Sequence, residues 1–228
     1  MSLKLIDVSH TVEDGMVTYK GLPAPIISAH LSREASKAFY EPGTEFHIGK
    51  IEMVANTGTY LDSPFHRYPD GKDLAELELT SIANLKGEVV RCFESGCDSS
   101  LRQIDKSSLG DLDLEGKAVL FHTGWDSNWR TEEYSNGTHP FLAASTAEFL
   151  VSAGVALVGI DSFNIDATTT GKRPVHSILL GAGIPVVEHL CRLGNLPDSG
   201  FRFFAVPVKV KDFGTFPVRA FAVVEGEK

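Results

Sequence analysis

The sequence predicts a mixed α/β fold built as one domain over residues 1–228. Three observations point there. A helical pattern at Ser145–Ala153 leads through Gly154 into the wholly apolar stretch Val155–Ile160. Short β-branched or aromatic runs at 88–93 and 117–123 supply further strands. No repeat and no change of composition marks a linker in the 228 residues, a length that permits one large domain with a substantial core.

Taken in order, residues 3–8 (LKLIDV) read as a short strand. Residues 11–26 carry Gly15, Gly21, Pro23 and Pro25 and are expected to be irregular. Residues 45–56 alternate weakly through Phe46, Ile48, Ile51 and Met53, which suits a strand entering the segment that starts at Asn56. The acid-rich stretch 73–78 (DLAELE) reads as a solvated helix face. In Ser145–Ala153, Ala147, Leu150 and Val151 fall at i, i+3 and i+4, and Gly154 is a natural cap. Val155–Ile160 has the pattern of a strand buried on both faces, so strand, helix and strand form a crossover unit. Asp161 then sits at a strand's carboxyl end, where open α/β sheets place ligands. Residues 201–210 and 217–224 give two more strands, with Gly214-Thr215-Phe216-Pro217 as the turn between them.

Charge and composition exclude several functions. A formal net charge of −9 and a pI near 5.3, with no basic stretch, argue against nucleic acid and against an anionic membrane surface. The apolar runs are too short to span a bilayer. The opening MSLKLIDVSHTVEDG has charges and no apolar core, so it does not read as a signal peptide. Three cysteines, Cys92, Cys97 and Cys191, form no Cys-x-x-Cys pair, and neither a disulfide framework nor a zinc knuckle is expected. A reduced, cytoplasmic setting is the expectation.

The chemistry concentrates in two segments. In Asn56-Thr57-Gly58-Thr59-Tyr60-Leu61-Asp62-Ser63-Pro64-Phe65-His66, Tyr60 and Asp62 share a face if the chain is extended. Pro64 breaks the strand and lets His66 curl back over that face. Taken alone, Asp62 and His66 also read as a surface hydrogen bond, and Asp62-Ser63-Pro64 as a turn opener. Further on, His176 and Glu188 frame the run HSILLGAGIPVVE. A short helix over Ser177–Leu180, a stop at Gly181-Ala182-Gly183 and an extended Ile184–Val187 would fold Glu188 back beside His176. His, Asp and Glu are the residue types that hold a divalent metal at neutral pH.

These segments resemble those of the cyclase-type metal-dependent hydrolases that include bacterial kynurenine formamidase. The 56–66 segment looks like that family's signature H-x-G-T-H-x-D-x-P-x-H. Ile6–Thr11 with Gly15-Met16, Val158–Ser162, His176–Glu188 and Pro217–Ala220 look like its other segments in the same order. The resemblance implies the swivelling β/β/α fold of the family and a homodimer or homotetramer. It implies that Asp62, His176 and Glu188 are metal ligands and His66 the acid–base residue. It also implies that the first of two metals would need histidines where this chain has Asn56 and Tyr60. One divalent metal, zinc or manganese, is therefore expected, held by Asp62, His176 and Glu188. His139, in a loop resembling one of the family's ahead of the helix, is placed to cap it.

Two mechanisms follow. A metal-activated water hydrolyses a small amide, lactam or ester while His66 moves the proton. Alternatively, the same carboxylates and histidines act without metal as an acid–base cyclase, dehydratase or isomerase, with Asn56 and Tyr60 donating to an oxyanion. A non-catalytic small-molecule binder on the same fold is the third possibility. The partner expected in each case is a small molecule. Trp125 and Arg173 are candidate substrate contacts, an aromatic wall and a carboxylate anchor; a core or surface role is the plainer reading of each.

Overall fold

The computed structural model describes residues 2–92 and 102–225. Phe93, at the end of the expected 88–93 strand, and Cys97 lie outside them. The described elements are β1 (Leu3–Asp7), β2 (Ile26–Leu31), α1 (Arg33–Ser36), β3 (Ile48–Glu52), β4 (Tyr60–Asp62), β5 (Leu85–Arg91), β6 (Gln103–Ile104), β7 (Ala118–His122), β8 (Phe141–Leu142), α2 (Ala144–Ser152), β9 (Leu157–Ile160), α3 (Pro174–Gly181), β10 (Val186–Glu188), β11 (Phe201–Phe204), β12 (Thr215–Pro217) and β13 (Phe221–Glu225).

Nine strands form one mixed sheet in the order β1-β13-β11-β5-β7-β9-β10-β4-β12. The middle strands β5, β7, β9 and β10 are parallel and the outer ones antiparallel. The crossover from β7 through α2 to β9 is the unit expected from the sequence, and all four residues of β9 are buried. Successive strand residues face opposite sides. Leu120, Leu157, Leu61, Val187 and Phe203 therefore pack into one apolar cluster. Val119, Phe121, Val158, Ile160 and Val186 pack into the other, against Leu150 of α2 and Leu179 of α3. Each fully buried leucine or isoleucine side chain contributes about 1.5–3 kcal/mol. Gly159 is required by this packing: a Cβ there would lie 2.7 Å from Leu190 and 2.8 Å from Leu120.

Several expected elements differ. Residues 214–217 are not a turn: Thr215–Pro217 is β12, paired with β4. It is the outermost strand of the sheet, where a proline is tolerated because no further ladder needs its N–H. The strand expected at 201–210 stops at Phe204. Residues 73–78 form a turn rather than a helix, because the buried Asp73 accepts the N–H groups of Ala75, Glu76 and Asp212 at 2.8, 3.0 and 2.6 Å. His139 does not cap α2. It is buried, with Nε2 3.0 Å from the Asp166 carbonyl. Residues 48–52 form a strand that does not run into the Asn56 segment. Among the described residues it pairs only with β2, as a hairpin whose side chains are exposed on both faces. No helix among the described residues is long and apolar enough to cross a membrane.

Asp161, at the end of β9, serves the scaffold. Its carboxyl accepts the Thr123 N–H and hydroxyl at 2.7 and 2.6 Å and the Gly124 N–H at 2.9 Å. Burial outweighs these bonds and pushes its pKa from 3.8 up to about 7. The folded state thus keeps this proton longer than the unfolded chain. The associated stability is full below about pH 4 and is lost as pH rises through about 7. We expect the stability of Asp161→Asn, measured against the parent by denaturant titration, to rise steadily from about pH 4 to about pH 7. A difference independent of pH would contradict this.

Candidate metal centre

Strand register sets the floor of the centre. β4 pairs with β10 so that Tyr60 lies opposite Glu188, and with β12 so that Asp62 lies opposite Thr215. Directly opposed residues of an antiparallel pair share a face, as do residues two apart on one strand. Tyr60, Asp62, Glu188 and Thr215 therefore project from the same side. The first turn of α3 lays His176 over that side. Its Nε2 is 3.7 Å from Asp62 Oδ2 and 3.5 Å from Glu188 Oε1. His66 follows on the single turn Pro64–His66, with Nδ1 2.8 Å from the Thr215 hydroxyl. That approach needs Gly214, since a Cβ there would lie 2.5 Å from the His66 backbone nitrogen.

Each ligand candidate is held from behind. Asp166, on the loop after β9, pairs with His176 Nδ1 at 2.7 Å and accepts the N–H groups of Val175 and His176 at 2.8 and 3.0 Å. Glu188 Oε1 accepts the Ile165 N–H at 2.7 Å, and Oε2 accepts the Tyr60 hydroxyl at 2.6 Å. Asp62 Oδ1 accepts the Thr215 hydroxyl in a short bond. Asp62 Oδ2 is buried with no hydrogen-bond partner, a costly condition for a carboxylate oxygen.

This arrangement fits a divalent cation. Asp62, His176 and Glu188 are all buried, and each offers a ligand atom within 4.8 Å of the others. The spacings of 3.5 and 3.7 Å are too long for hydrogen bonds. They are close to the roughly 3.3–3.6 Å that separates ligands of one tetrahedral ion with bonds of about 2.0–2.2 Å. The unpartnered Oδ2 of Asp62 is the lone pair such an ion would take.

Burial works to lower the His176 pKa, but Glu188, Asp166 and Asp62 outweigh it and carry it up to about 10. Burial likewise pushes the Glu188 carboxyl up, opposed by His176. Burial, then the charge of Glu188, pushes the Tyr19 and Tyr60 phenols up, so both keep their protons. Burial holds His189 well below the usual histidine range and therefore neutral.

A cavity of about 260 Å³ opens onto the centre. Asn56, Tyr60, His66, Arg173, His176 and Glu188 line it, together with Tyr19, Leu22, Arg67 and Asn164. Trp125 is not among them. The left-handed turn at Gly124 sends its indole to the Tyr134 carbonyl, to which Nε1 donates at 3.1 Å. Arg173 spends Nη1 on the carbonyls of Ala167, Thr170 and Lys172. The Tyr60 hydroxyl donates its one proton in a hydrogen bond to Glu188 and has none left for an oxyanion. Asp166, Asn164, Tyr19, His189 and Thr215 were not singled out from the sequence as parts of the centre. The polar residues Asp161, Ser162, Asn164 and Asp166 just past the apolar strand are the signal that could have found the first two.

The Cyclase family model matches residues 6–167. The chain belongs to the Cyclase family. Among curated members, the kynurenine formamidase of Bacillus cereus (strain ATCC 14579) is 29% identical over 216 residues, covering 94% of this chain and 95% of that protein. The kynurenine formamidase of Bacillus anthracis is 28% identical over 218 residues, covering 95% and 96%. Among solved structures, isatin hydrolase A from Labrenzia aggregata, bound to benzyl benzoate, superposes with a TM-score of 0.82 at 20% identity, covering 98% and 94% of the two chains. A structure described as a "Potential Metal-Dependent Hydrolase With Cyclase Activity" gives 0.77 at 24% identity, covering 99% and 100%. The shared fold is thus that of the Cyclase family, and this chain is an enzyme of that family. Within this Cyclase-family site, we expect Asp166→Ala to weaken Zn²⁺ binding about 10–100-fold, because His176 loses the group that orients it. Competition with a chromophoric chelator measures this, and an unchanged affinity in a folded variant would contradict it.

Proposed function

We propose that the protein hydrolyses a small amide, lactam or ester with one divalent metal, zinc or manganese, held by Asp62, His176 and Glu188. The observation that carries this reading is the convergence of three buried donors with an unpartnered carboxylate oxygen among them. The names of relatives agree with it: a formamidase by sequence and a hydrolase by fold. The cavity, about 260 Å³, is below the roughly 300–1,000 Å³ typical of drug-sized ligands, which suits a small substrate.

A bound divalent cation supplies Lewis acidity toward a carbonyl oxygen and toward water. The chain's own residues supply the rest. Thr215 has one hydroxyl proton, and the carboxylate of Asp62 can only accept it. The contact of 2.8 Å between Thr215 Oγ1 and His66 Nδ1 then needs its proton from the imidazole. The neutral tautomer of His66 that this contact selects carries its proton on Nδ1 and a lone pair on Nε2, the form of a general base. Nε2 takes a proton from the attacking water and returns it to the leaving nitrogen or oxygen. Asn56, with its amide on the cavity wall, is a candidate donor to the substrate. The proton of Tyr60 is committed to Glu188, which counts against a metal-free oxyanion site built on that phenol.

A cytoplasmic enzyme that self-associates is part of the same proposal. The hairpin β2–β3 and its connecting loop expose Ile26, Ile27, Ile48, Ile51, Phe39 and Phe46, and an isolated two-stranded hairpin is only marginally stable. Ile27 and Ile51 lie on one face of the hairpin, and Lys50 and Glu52 on the other. The same apolar pair presented by a second copy covers it in an isologous contact across a two-fold axis, so a second copy is the occupant proposed. Ile27 and Ile51 are directly paired. Ile27→Glu combined with Ile51→Lys keeps the hairpin compatible and removes the apolar contact. Sedimentation equilibrium is expected to show an oligomer for the parent and a monomer for this variant; a monomeric parent would refute self-association.

For the reaction itself, protein prepared with metal present is expected to carry about one divalent ion per chain, while Asp62→Ala carries none and loses turnover with its fold intact. Full activity in excess chelator, or turnover by Asp62→Ala at the parent's rate, would sink the proposal.

A further inference from the structure

We propose that a buried hydrogen-bond chain from Tyr134 through His189 and Tyr19 to Tyr60 fixes Glu188 so that it presents a single oxygen to one cation. This rests on the metal reading above, and it makes Tyr134, His189, Tyr19 and Tyr60 positioning residues. The four contacts are Tyr134 hydroxyl to His189 Nδ1 at 2.8 Å, His189 Nε2 to Tyr19 hydroxyl at 3.1 Å, Tyr19 to Tyr60 hydroxyl at 2.7 Å, and Tyr60 hydroxyl to Glu188 Oε2 at 2.6 Å.

One assignment of protons satisfies all four. The ionised carboxylate, the form that holds a cation, only accepts, so Tyr60 donates to Glu188. The contact between the two phenols, the shortest that Tyr19 makes, then takes its proton from Tyr19, which leaves the Phe163 carbonyl at 3.0 Å and Glu188 Oε2 at 3.3 Å as weaker acceptors. Tyr19 has no second proton, so His189 donates to it from Nε2. Nδ1 of the neutral ring is then free to accept from Tyr134. Every donor along the chain points toward Glu188.

Two further observations agree. Asn164 Nδ2 and the Tyr19 hydroxyl also approach Glu188 Oε2, each at 3.3 Å, and with the Tyr19 proton given to the shorter contact with Tyr60, Tyr60 and Asn164 take both lone pairs of that oxygen. Oε1 accepts the Ile165 N–H and keeps one lone pair, on the side of His176. A carboxylate spent this way cannot bridge two cations. His189, directly after Glu188, sits at φ +54°. Non-glycine residues rarely hold that backbone geometry, and such strain persists where the surroundings enforce it. Here it sets the ring between Tyr134 and Tyr19.

The test uses Zn²⁺ binding by chelator competition and the visible spectrum of the Co²⁺-loaded protein, so it needs no substrate. Tyr60→Phe is expected to weaken Zn²⁺ about 10–100-fold and to shift the Co²⁺ bands. Tyr134→Phe, three hydrogen bonds further out, is expected to weaken Zn²⁺ about 3–10-fold. Combined with Tyr60→Phe it is expected to add nothing, because its effect passes through Tyr60. If Tyr60→Phe does not fold, Tyr19→Phe takes its place, with the same expectation as Tyr134→Phe. Variants that melt at lower temperature yet bind Zn²⁺ and colour Co²⁺ like the parent would overturn the positioning role. A parent that binds no Zn²⁺ would overturn the metal reading instead.

Discussion

The pairing of β4 on both of its edges is the constraint from which the rest of the centre follows. Only three residues long, the strand has one register with β10 and one with β12. Slipping a strand by one residue turns every side chain to the other face. Here a slip would drive Asp62 into the apolar cluster that holds Leu61 and Val187, and expose Leu61 to the polar side. Burying a carboxylate without partners costs several kcal/mol or more. The hydrophobic packing on one face therefore specifies the polar constellation on the other.

That constellation carries an electrostatic imbalance. Asp62, Asp166 and Glu188, all buried, surround the imidazole of His176. A protonated His176 cancels one of three negative charges, and a divalent cation cancels two. Buried charges without full compensation are strongly destabilising. The high pKa of His176, about 10, is the same imbalance seen from the imidazole's side. The hydrogen bonds behind Asp62 and Glu188 turn one oxygen of each toward the common point.

The parts legible in the sequence were those with a local pattern. The β7–α2–β9 crossover showed in periodicity, and the 56–66 and 176–188 segments in residue types at short spacing. His176 and Glu188 were joined by the helix–turn–strand reading of the intervening run, because Gly181 and Gly183 end α3 and β10 starts soon after. Thr215 was not legible. Glycine before it and proline after it signal a turn, and only the outermost position of β12 in the sheet makes a strand possible there. Tyr19 lies in a segment with no periodic pattern, and its role comes from packing across the chain against Tyr60 and His189. Trp125, whose plainer reading was a core role, is directed to the Tyr134 carbonyl by the backbone turn at Gly124 and away from the cavity.

The location of bound metal tests the central claim most directly. Anomalous scattering from crystals grown with Mn²⁺ should give one peak per chain, bounded by Asp62 Oδ2, His176 Nε2 and Glu188 Oε1, with none beside Tyr60 and Asn56. Crystals with no peak at that point, in which His176 closes to direct hydrogen bonds with both carboxylates, would contradict the account.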